Sequence, residues 1–431
     1  MKDIFRRYFA VVLVIVMITG VCALFSVRKS GYFVDEVYTF GLSNSYYKPF
    51  VIDLAEGGIA VHRDVFLDAL GIDHAAVAAG SVYYNQTQDV HPPLYYWLFN
   101  FVYSFFPGFS KWPAMALNFV LYMLTMLMLW KLCMELFSRR HIAAAALALY
   151  GLSGIGVSTM LMVRMYVLLT LLTVTLAYLT ARLMRTRERW LYPLVGLTIF
   201  AGLMTQYYFV FYAFFLCAAY DIRALVRRDF RDFLRFSVWA VAGVACLVLA
   251  FPACLDQLFA DALVSGGNAA ENIRDVAAYG ERFATYWKRI KFSVRGMQYA
   301  LYAAALIALA LSPRLIKGLR GRKLRLEALL VILPALITYA VVVVGISTTS
   351  CPFWRCCRAL SCMSAWRGRR GSASATARPS RSPCSRPAGR CGRCVPIRRT
   401  ICIRSITAIT PPSSRIPAGR AYTSTTSARE P

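Results

Sequence analysis

The sequence YFAVVLVIVMITGVCALFSVRKSGYFVDEVYTF, residues 8–40, contains the two features that decide the fold. Its first part, Tyr8–Val27, is uncharged, and a helix of about 20 residues is long enough to cross a bilayer. The run follows Arg6 and Arg7, as a signal peptide would follow basic residues, but no small-residue cleavage pattern closes it. We therefore predict a retained first transmembrane helix. An acidic pair follows it, in the segment GYFVDEVYTF.

The rest of the chain has the composition of an all-α polytopic membrane protein. Of its 431 residues, 58% are hydrophobic and 16% are charged, and several uncharged runs are long enough to span a membrane. We predict a helical bundle of about nine to ten membrane segments. One run, Pro92–Phe106, is too short to span comfortably. The runs are Tyr8–Val27, Pro92–Phe106, Pro113–Phe137, Ile142–Met160, Arg164–Met184, Leu191–Thr205, Tyr207–Tyr220, Phe236–Leu255, Gly296–Leu311 and Leu326–Ile346.

Basic residues cluster between these runs, and the positive-inside rule places such clusters in the cytoplasm. All of them can be cytoplasmic if Pro92–Phe106 is interfacial or re-entrant; a full crossing there, which would expose Arg139 and Arg140, is the alternative. The first assignment places two loops, residues 28–90 and 256–295, outside. The first loop is acidic, and we expect short interfacial helices in it. The second suits a mobile loop over a site.

The last part of the chain, residues 347–431, has a different composition. Residues 351–431 hold 16 arginines, no lysine, one acidic residue and 8 of the 13 cysteines. Ordinary disordered tails carry lysine and glutamate and few cysteines, whereas translation of a GC-rich gene in the wrong frame gives this mixture. We predict an aberrant, frameshifted and disordered tail after a membrane domain of residues 1–346. A zinc site in the tail is disfavoured because only one CxxC pair is present.

The net charge of +28 does not indicate a nucleic-acid partner. Much of the excess lies in the tail, and most of the remainder lies in short loops between hydrophobic runs. No basic stripe interleaved with aromatic residues occurs outside the membrane runs.

Asp35 and Glu36 stand side by side at the predicted outer end of the first helix. Acidic residues beside a bilayer are costly, so they are candidates for function. One carboxylate can act as a general base toward an acceptor hydroxyl or amine. Adjacent side chains point in different directions, so we expect one catalytic acid and one structural or metal-binding neighbour. A solvated pair on a loop is the alternative.

Three further positions are candidates for substrate binding. Asp89 and His91 precede a double proline at the next membrane entry; a helix-entry cap is the alternative for them. Arg164 opens an uncharged run, two residues before Tyr166, and its guanidinium suits a phosphate, unless it snorkels to the headgroups. A polar break in an apolar run could line a cavity or belong to an aromatic belt; it contains Gln206 and Tyr207.

These motifs, in order, are the Asp35–Glu36 pair, HPPLYY at 91–96, RMY at 164–166 and TQYY at 205–208. Together they resemble the bacterial dolichyl-phosphate-mannose protein mannosyltransferase-like membrane glycosyltransferases. That group, similar to glycosyltransferase family 39, has the GT-C fold and includes the aminoarabinose transferases and the rhizobial-type lipopolysaccharide-core transferases. The resemblance covers about residues 1–220.

The resemblance implies transfer of a sugar from a polyprenyl-phosphate donor to a lipid, glycan or protein acceptor. The reaction would take place on the outer face of a bacterial plasma (inner) membrane. Asp35 matches the family's catalytic acid, with Glu36 beside it, while the His-Pro-Pro segment and Arg164 match positions that shape the site and meet the carrier phosphate. Gln206 departs from the histidine of many relatives. The sugar and any divalent metal cofactor stay open.

Two other hypotheses compete with this enzyme. A transporter or flippase of polyprenyl-linked saccharide predicts broken helices, midplane charges and a repeat between halves, and neither the repeat nor the charges are visible in the sequence. The other hypothesis is an inactive, truncated copy of the transferase, since the family's later helices would fall in the aberrant tail.

Overall fold

A computed structural model describes residues 2–49, 70–72, 77–106, 108–264, 275–294 and 326–345. The described residues form helices and connecting loops without strands, so the predicted all-α class is confirmed. All of them lie within one compact unit, Met1–Gly371. Besides a 3₁₀ turn at Val276–Ala278, the helices are α1 (Lys2–Arg28), α2 (Val34–Asn44), α3 (Ala79–Thr87), α4 (Leu94–Tyr103), α5 (Trp112–Phe137), α6 (Arg140–Gly151), α7 (Gly154–Leu161), α8 (Tyr166–Thr186), α9 (Leu191–Leu203), α10 (Phe209–Val226), α11 (Phe230–Ala250), α12 (Ala253–Val264), α13 (Tyr279–Val294) and α14 (Leu326–Gly345).

Five of the described helices, α1, α5, α8, α10 and α11, are long and apolar enough to cross a membrane. A sixth span results if α6 and α7 are one segment, bent by 58° at residues 152–153. Ser153 explains the restart of the helix, because its hydroxyl oxygen accepts a hydrogen bond from the Gly156 N–H at 2.9 Å and so caps α7. The chain is therefore a multi-pass membrane protein.

The predicted count of nine to ten segments exceeds the five or six found in the described part of the chain. The runs Pro92–Phe106 and Leu191–Thr205 form helices of only 10 and 13 residues, α4 and α9. The run Gly296–Leu311 and the tail after residue 345 lie outside the described residues.

Two predicted loops are partly described. The first, residues 28–90, contains the short helices α2 and α3, as expected; their location at a membrane surface stays a prediction. The second, residues 256–295, contains most of α12 and the whole of α13.

The helices pack into two hydrophobic clusters. One is formed around α1, α2, α4 and α5, and the other around α8, α9, α10 and α11. In the second cluster, α9 and α11 approach each other closely at Gly196 and Gly243. A Cβ atom at Gly243 would lie 2.4 Å from the carbonyl oxygen of Gly196, so only glycine permits this packing.

Buried asparagines fix α2, α3 and α4 to one another. Asn85 of α3 donates from Nδ2 to the carbonyls of Leu42 and Ser45, at 3.1 and 2.9 Å. Asn100 of α4 donates to the Ser43 carbonyl at 2.9 Å. Buried amides that satisfy backbone carbonyls in this way specify the docking of the helices, because an alternative packing would leave the carbonyls unpaired. The acidic pair at the start of α2 is thereby held at one end of the bundle.

Candidate active site

The structure brings four predicted site residues together at this end of the bundle. Asp89 Oδ2 lies 2.8 Å from His91 Nδ1, and His91 Nε2 lies 3.4 Å from Arg164 Nη2. Asp35 is electrostatically coupled to all three of these residues. The four side chains come from α2, from the turn before α4 and from the junction between α7 and α8.

The hydrogen bonds fix the tautomer of His91. An arginine N–H can only donate, so Nε2 of His91 is the acceptor toward Arg164. The proton of a neutral ring then resides on Nδ1 and is donated to Asp89, the usual way in which a carboxylate orients an imidazole. Asp89 and Arg164 are thereby connected through one ring.

Arg164 is buried, with 5% of its surface exposed. Its Nη1 donates to the hydroxyl of Tyr96 at 3.1 Å, whereas its Nε has no hydrogen-bond partner. A buried guanidinium with an unused donor is costly unless an anion completes its contacts. The planar fork of arginine matches the oxygens of a phosphate.

The backbone around Arg164 is held from two sides. Asn118, in the second turn of α5, donates from Nδ2 to the carbonyls of Met160 and Met162 at 3.0 and 2.8 Å. From the other side, Glu36 Oε1 accepts a hydrogen bond from the Val163 N–H at 2.7 Å. These contacts keep the chain extended between α7 and α8 and fix the direction in which Arg164 leaves the backbone.

Glu36 has its carboxylate fully engaged. Besides Val163, it accepts from Lys29 Nζ at 2.8 and 3.1 Å and from the Phe33 N–H at 2.7 Å. The residue is 2% exposed. The sequence analysis placed Glu36 beside Asp35 as a catalytic candidate, but its oxygens are occupied by donors of the protein itself.

Asp35 differs from its neighbour in this respect. Its Oδ2 is buried and has no hydrogen-bond partner. Burial raises the pKa of this carboxyl above its ordinary value; Arg164 and His91 oppose the rise, and Asp89 and Glu36 add to it. A carboxylate with a raised pKa and a free oxygen is a stronger base than an exposed aspartate.

Asp89 shows the opposite balance. Burial would raise its pKa, but the hydrogen bond from His91 and the nearby guanidinium of Arg164 lower it below its ordinary value. The two aspartates are thus separated in acidity by their surroundings. Such a separation allows Asp35 to exchange protons while Asp89 stays ionised.

The remaining predicted residues lie around this cluster. Tyr166 begins α8, two residues after Arg164, and is electrostatically coupled to it. Gln206 is 7% exposed, and its side-chain oxygen accepts from the Tyr207 N–H at 2.9 Å. Tyr207 is connected to the cluster through Gln257, whose side-chain oxygen accepts from the Tyr207 hydroxyl at 2.6 Å.

Sequence reasoning missed four residues that support the site: Lys29, Tyr96, Asn118 and Gln257. Asn118 offered a signal, since a lone amide in the apolar run Pro113–Phe137 is an intramembrane polar residue. Tyr96 stands at the end of the HPPLYY motif, whereas Lys29 and Gln257 gave no signal, because their contacts depend on how the chain folds.

The described residues contain no group of three or more His, Cys, Asp or Glu side chains that could hold a metal ion. Asp89 and His91 offer two ligand types, and they are hydrogen-bonded to each other. The divalent metal that the sequence analysis left open is therefore assigned no residues.

Comparison with known proteins supports the resemblance seen in the motifs. Residues 90–255 match the family model of dolichyl-phosphate-mannose-protein mannosyltransferases. The matched residues include His91, Arg164, Tyr166, Gln206 and Tyr207, and they exclude the segment that carries Asp35. No curated protein and no solved structure matches the chain. The match confirms the predicted family resemblance over these residues.

Proposed function

We propose that this chain, whose residues 90–255 match the dolichyl-phosphate-mannose-protein mannosyltransferases, transfers a sugar from a polyprenyl-phosphate donor. The acceptor would be a hydroxyl or amine of a lipid, glycan or protein. The single observation that carries the proposal is the buried, unpartnered Oδ2 of Asp35 beside the buried Arg164. A base and a phosphate-binding cation in one site are the two groups that this transfer requires.

Asp35 acts as the general base. The acceptor oxygen or nitrogen attacks the anomeric carbon of the donor, and its proton passes to Asp35 Oδ2 as the new bond forms. The bond between the anomeric carbon and the phosphate oxygen breaks at the same time, and the polyprenyl phosphate leaves with the electron pair. One displacement at the anomeric carbon inverts its configuration.

Arg164 stabilises the leaving group. Negative charge grows on the phosphate as the glycosidic bond breaks, and a fixed guanidinium in a buried site stabilises that charge more than water would. The unused Nε donor and the Nη groups can contact two phosphate oxygens side by side. Asp89 and His91 hold the guanidinium in place from the opposite side.

Glu36 has a supporting role in this proposal. Its carboxylate is neutralised by Lys29 and bound to the Val163 amide, so it has no oxygen to offer to a substrate. Through Val163 it positions the residue that follows, Arg164. This division gives the two adjacent acids different functions.

The predicted topology places the site outside the plasma membrane, where lipid-linked sugars are used. The basic clusters of the sequence favour this orientation by the positive-inside rule. The outer-face location, the bacterial inner membrane and the polyprenyl donor are parts of the proposal.

The test is a transfer assay in proteoliposomes with the full chain. Donors are a panel of polyprenyl-phosphate-linked hexoses and pentoses, and acceptors are membrane lipids and glycans of the host. Asp35→Asn is expected to lower transfer at least about a thousandfold, because the amide cannot take the acceptor's proton. Asp256→Asn, an exposed aspartate on α12, is the matched control and should retain wild-type transfer.

Transfer retained by Asp35→Asn would remove this residue from the mechanism. Absence of transfer by the wild-type chain from every donor would contradict the proposed function and favour the inactive copy. The transporter hypothesis is tested in the same vesicles, because it predicts movement of the lipid-linked sugar across the bilayer without a new glycosidic bond. The bent pair α6–α7 is a broken helix of the kind transporters use, yet residues 142–161 carry no charge.

A further inference from the structure

A second polar cluster borders the proposed active site on the side of α12. Gln257 lies in the second turn of α12, and both the oxygen and the nitrogen of its side-chain amide are hydrogen-bonded to protein groups. Its Nε2 donates to the carbonyls of Gln86 and Asp89 at 2.7 and 2.6 Å, and its Oε1 accepts from the Tyr207 hydroxyl at 2.6 Å. One side chain thereby joins three segments far apart in sequence.

The carbonyl of Asp89 belongs to the turn that carries the proposed phosphate-site residues. Asp89 orients His91, and His91 contacts Arg164. A displacement of the Asp89 backbone would therefore be passed to the ring and to the guanidinium. Gln257 is the only residue of α12 among the described contacts of this turn.

A nearby ring contact strengthens the connection. Tyr83 of α3 packs edge-to-face on Phe251, which ends α11, with ring centroids 5.3 Å apart. Because α12 begins two residues later, the joint between α11 and α12 is fixed to α3 at two points. The joint cannot shift without moving the chain that leads to Asp89.

We infer that Gln257 is a positioning residue of the transfer reaction, which holds the Asp89–His91 turn in register with Arg164. The inference rests on the proposed function. It adds a residue outside the matched range 90–255, and it connects the second predicted outer loop to the phosphate site. Gln257 itself contacts no reacting group in this scheme, so its effect is on the geometry of the transition state.

The experiment compares Gln257→Leu with Gln88→Leu in the full chain. Leucine keeps most of the volume of glutamine and removes its hydrogen bonds. Gln88 is exposed, and its side chain donates a hydrogen bond to its neighbour Thr87, so its substitution is a matched control. With the panel donor that the wild type uses, Gln257→Leu is expected to lower kcat at least about tenfold while KM for the donor changes less than about threefold.

A direct structural readout accompanies the kinetics. Hydrogen–deuterium exchange in detergent should be faster in Gln257→Leu for peptides that cover residues 86–96, and unchanged in Gln88→Leu. Tyr207→Phe, which removes one of the three hydrogen bonds, should show both effects at a smaller size, with kcat lowered about two- to fivefold. This milder variant keeps the inference testable if Gln257→Leu does not accumulate.

Equal kinetics for Gln257→Leu and Gln88→Leu, or a change confined to KM, would overturn the inference while leaving sugar transfer intact. If Gln257→Leu does not fold, the test depends on Tyr207→Phe. A kcat and an exchange rate equal to those of the wild type in this variant would overturn the inference. If the wild type transfers no sugar, the proposed function fails, and equal exchange in the glutamine variants would then refute the positioning role separately.

Discussion

The side chain of Glu36 and the backbone N–H of Val163 are joined by a buried hydrogen bond of 2.7 Å across 127 residues of sequence. This bond ties the start of α2 to the chain between α7 and α8. It separates the roles of two adjacent acids, because Glu36 is committed to the fold and Asp35 keeps an oxygen free. The predictions below test the parts of the site that depend on this arrangement.

The first prediction concerns the ion pair of Glu36 and Lys29. Removing one member of a buried pair leaves an uncompensated charge, which typically costs about 3–5 kcal/mol, while removing both is milder. Glu36→Gln retains an oxygen for Val163 but leaves Lys29 unpaired. We expect each of Glu36→Gln and Lys29→Met to lower Tm in detergent, and the double variant to recover most of the loss.

A thermal-shift series on the four proteins measures this coupling. Additive losses in the double variant would contradict a direct pair. Full stability of Glu36→Gln would show that the charge of Glu36 is not needed for the fold.

The second prediction concerns the shape of the Arg164 side chain. Lysine keeps the charge but lacks the planar fork and loses the contact with Tyr96. Arg164→Lys should therefore lower kcat/KM about a hundredfold, a loss comparable to removing one donor from an oxyanion site. Arg185→Lys, at an exposed arginine that pairs with Glu135, is the control and should stay within about twofold.

The measurement is the initial rate of transfer at several donor concentrations in proteoliposomes. Wild-type kcat/KM in Arg164→Lys would mean that a point charge suffices and that the bidentate contact is wrong.

The third prediction concerns the pH dependence of transfer. Base catalysis requires ionised Asp35, so kcat/KM falls as the pH drops through the pKa of this residue. Burial raises that pKa, so the fall should occur at higher pH than for an exposed aspartate, whose pKa is about 3.9. Asp89 adds to the rise through its negative charge, and Asp89→Asn should therefore move the acid limb to lower pH.

Asparagine at position 89 still offers an oxygen to the His91 ring, which limits the structural change. The check is a pH–rate profile of wild type, Asp89→Asn and the exposed control Asp256→Asn. An acid limb that stays in place or moves to higher pH in Asp89→Asn would rule out the proposed coupling between the two aspartates.

Local sequence patterns predicted the helices well, because uncharged runs of about 20 residues can bury their backbone in a membrane only as helices. The same patterns selected Asp35, Asp89, His91 and Arg164 as chemically active types at membrane entries, and the fold brings these four together. Pro92–Phe106 was expected to be short, and α4 has 10 residues.

The contacts that organise the site were beyond local patterns. Whether Glu36 or Asp35 keeps a free oxygen depends on where Val163 lies, and that depends on how the segment between α7 and α8 packs against the start of α2. Gln257 is likewise an ordinary amide in sequence, and only the docking of α12 near the Asp89 turn gives it three partners. Side-chain roles of this kind are set by tertiary structure.

The glycine contact between α9 and α11 also affects Tyr207 and Gln257, because each of them follows one of these two helices. Gly196 and Gly243 allow the two backbones to approach closely, so a shift of one helix would be passed directly to the other. Tyr207 lies in the loop after α9, and Gln257 lies on α12, the helix that follows α11. The hydrogen bond between the Tyr207 hydroxyl and Gln257 therefore links the segments that follow two helices already in close contact.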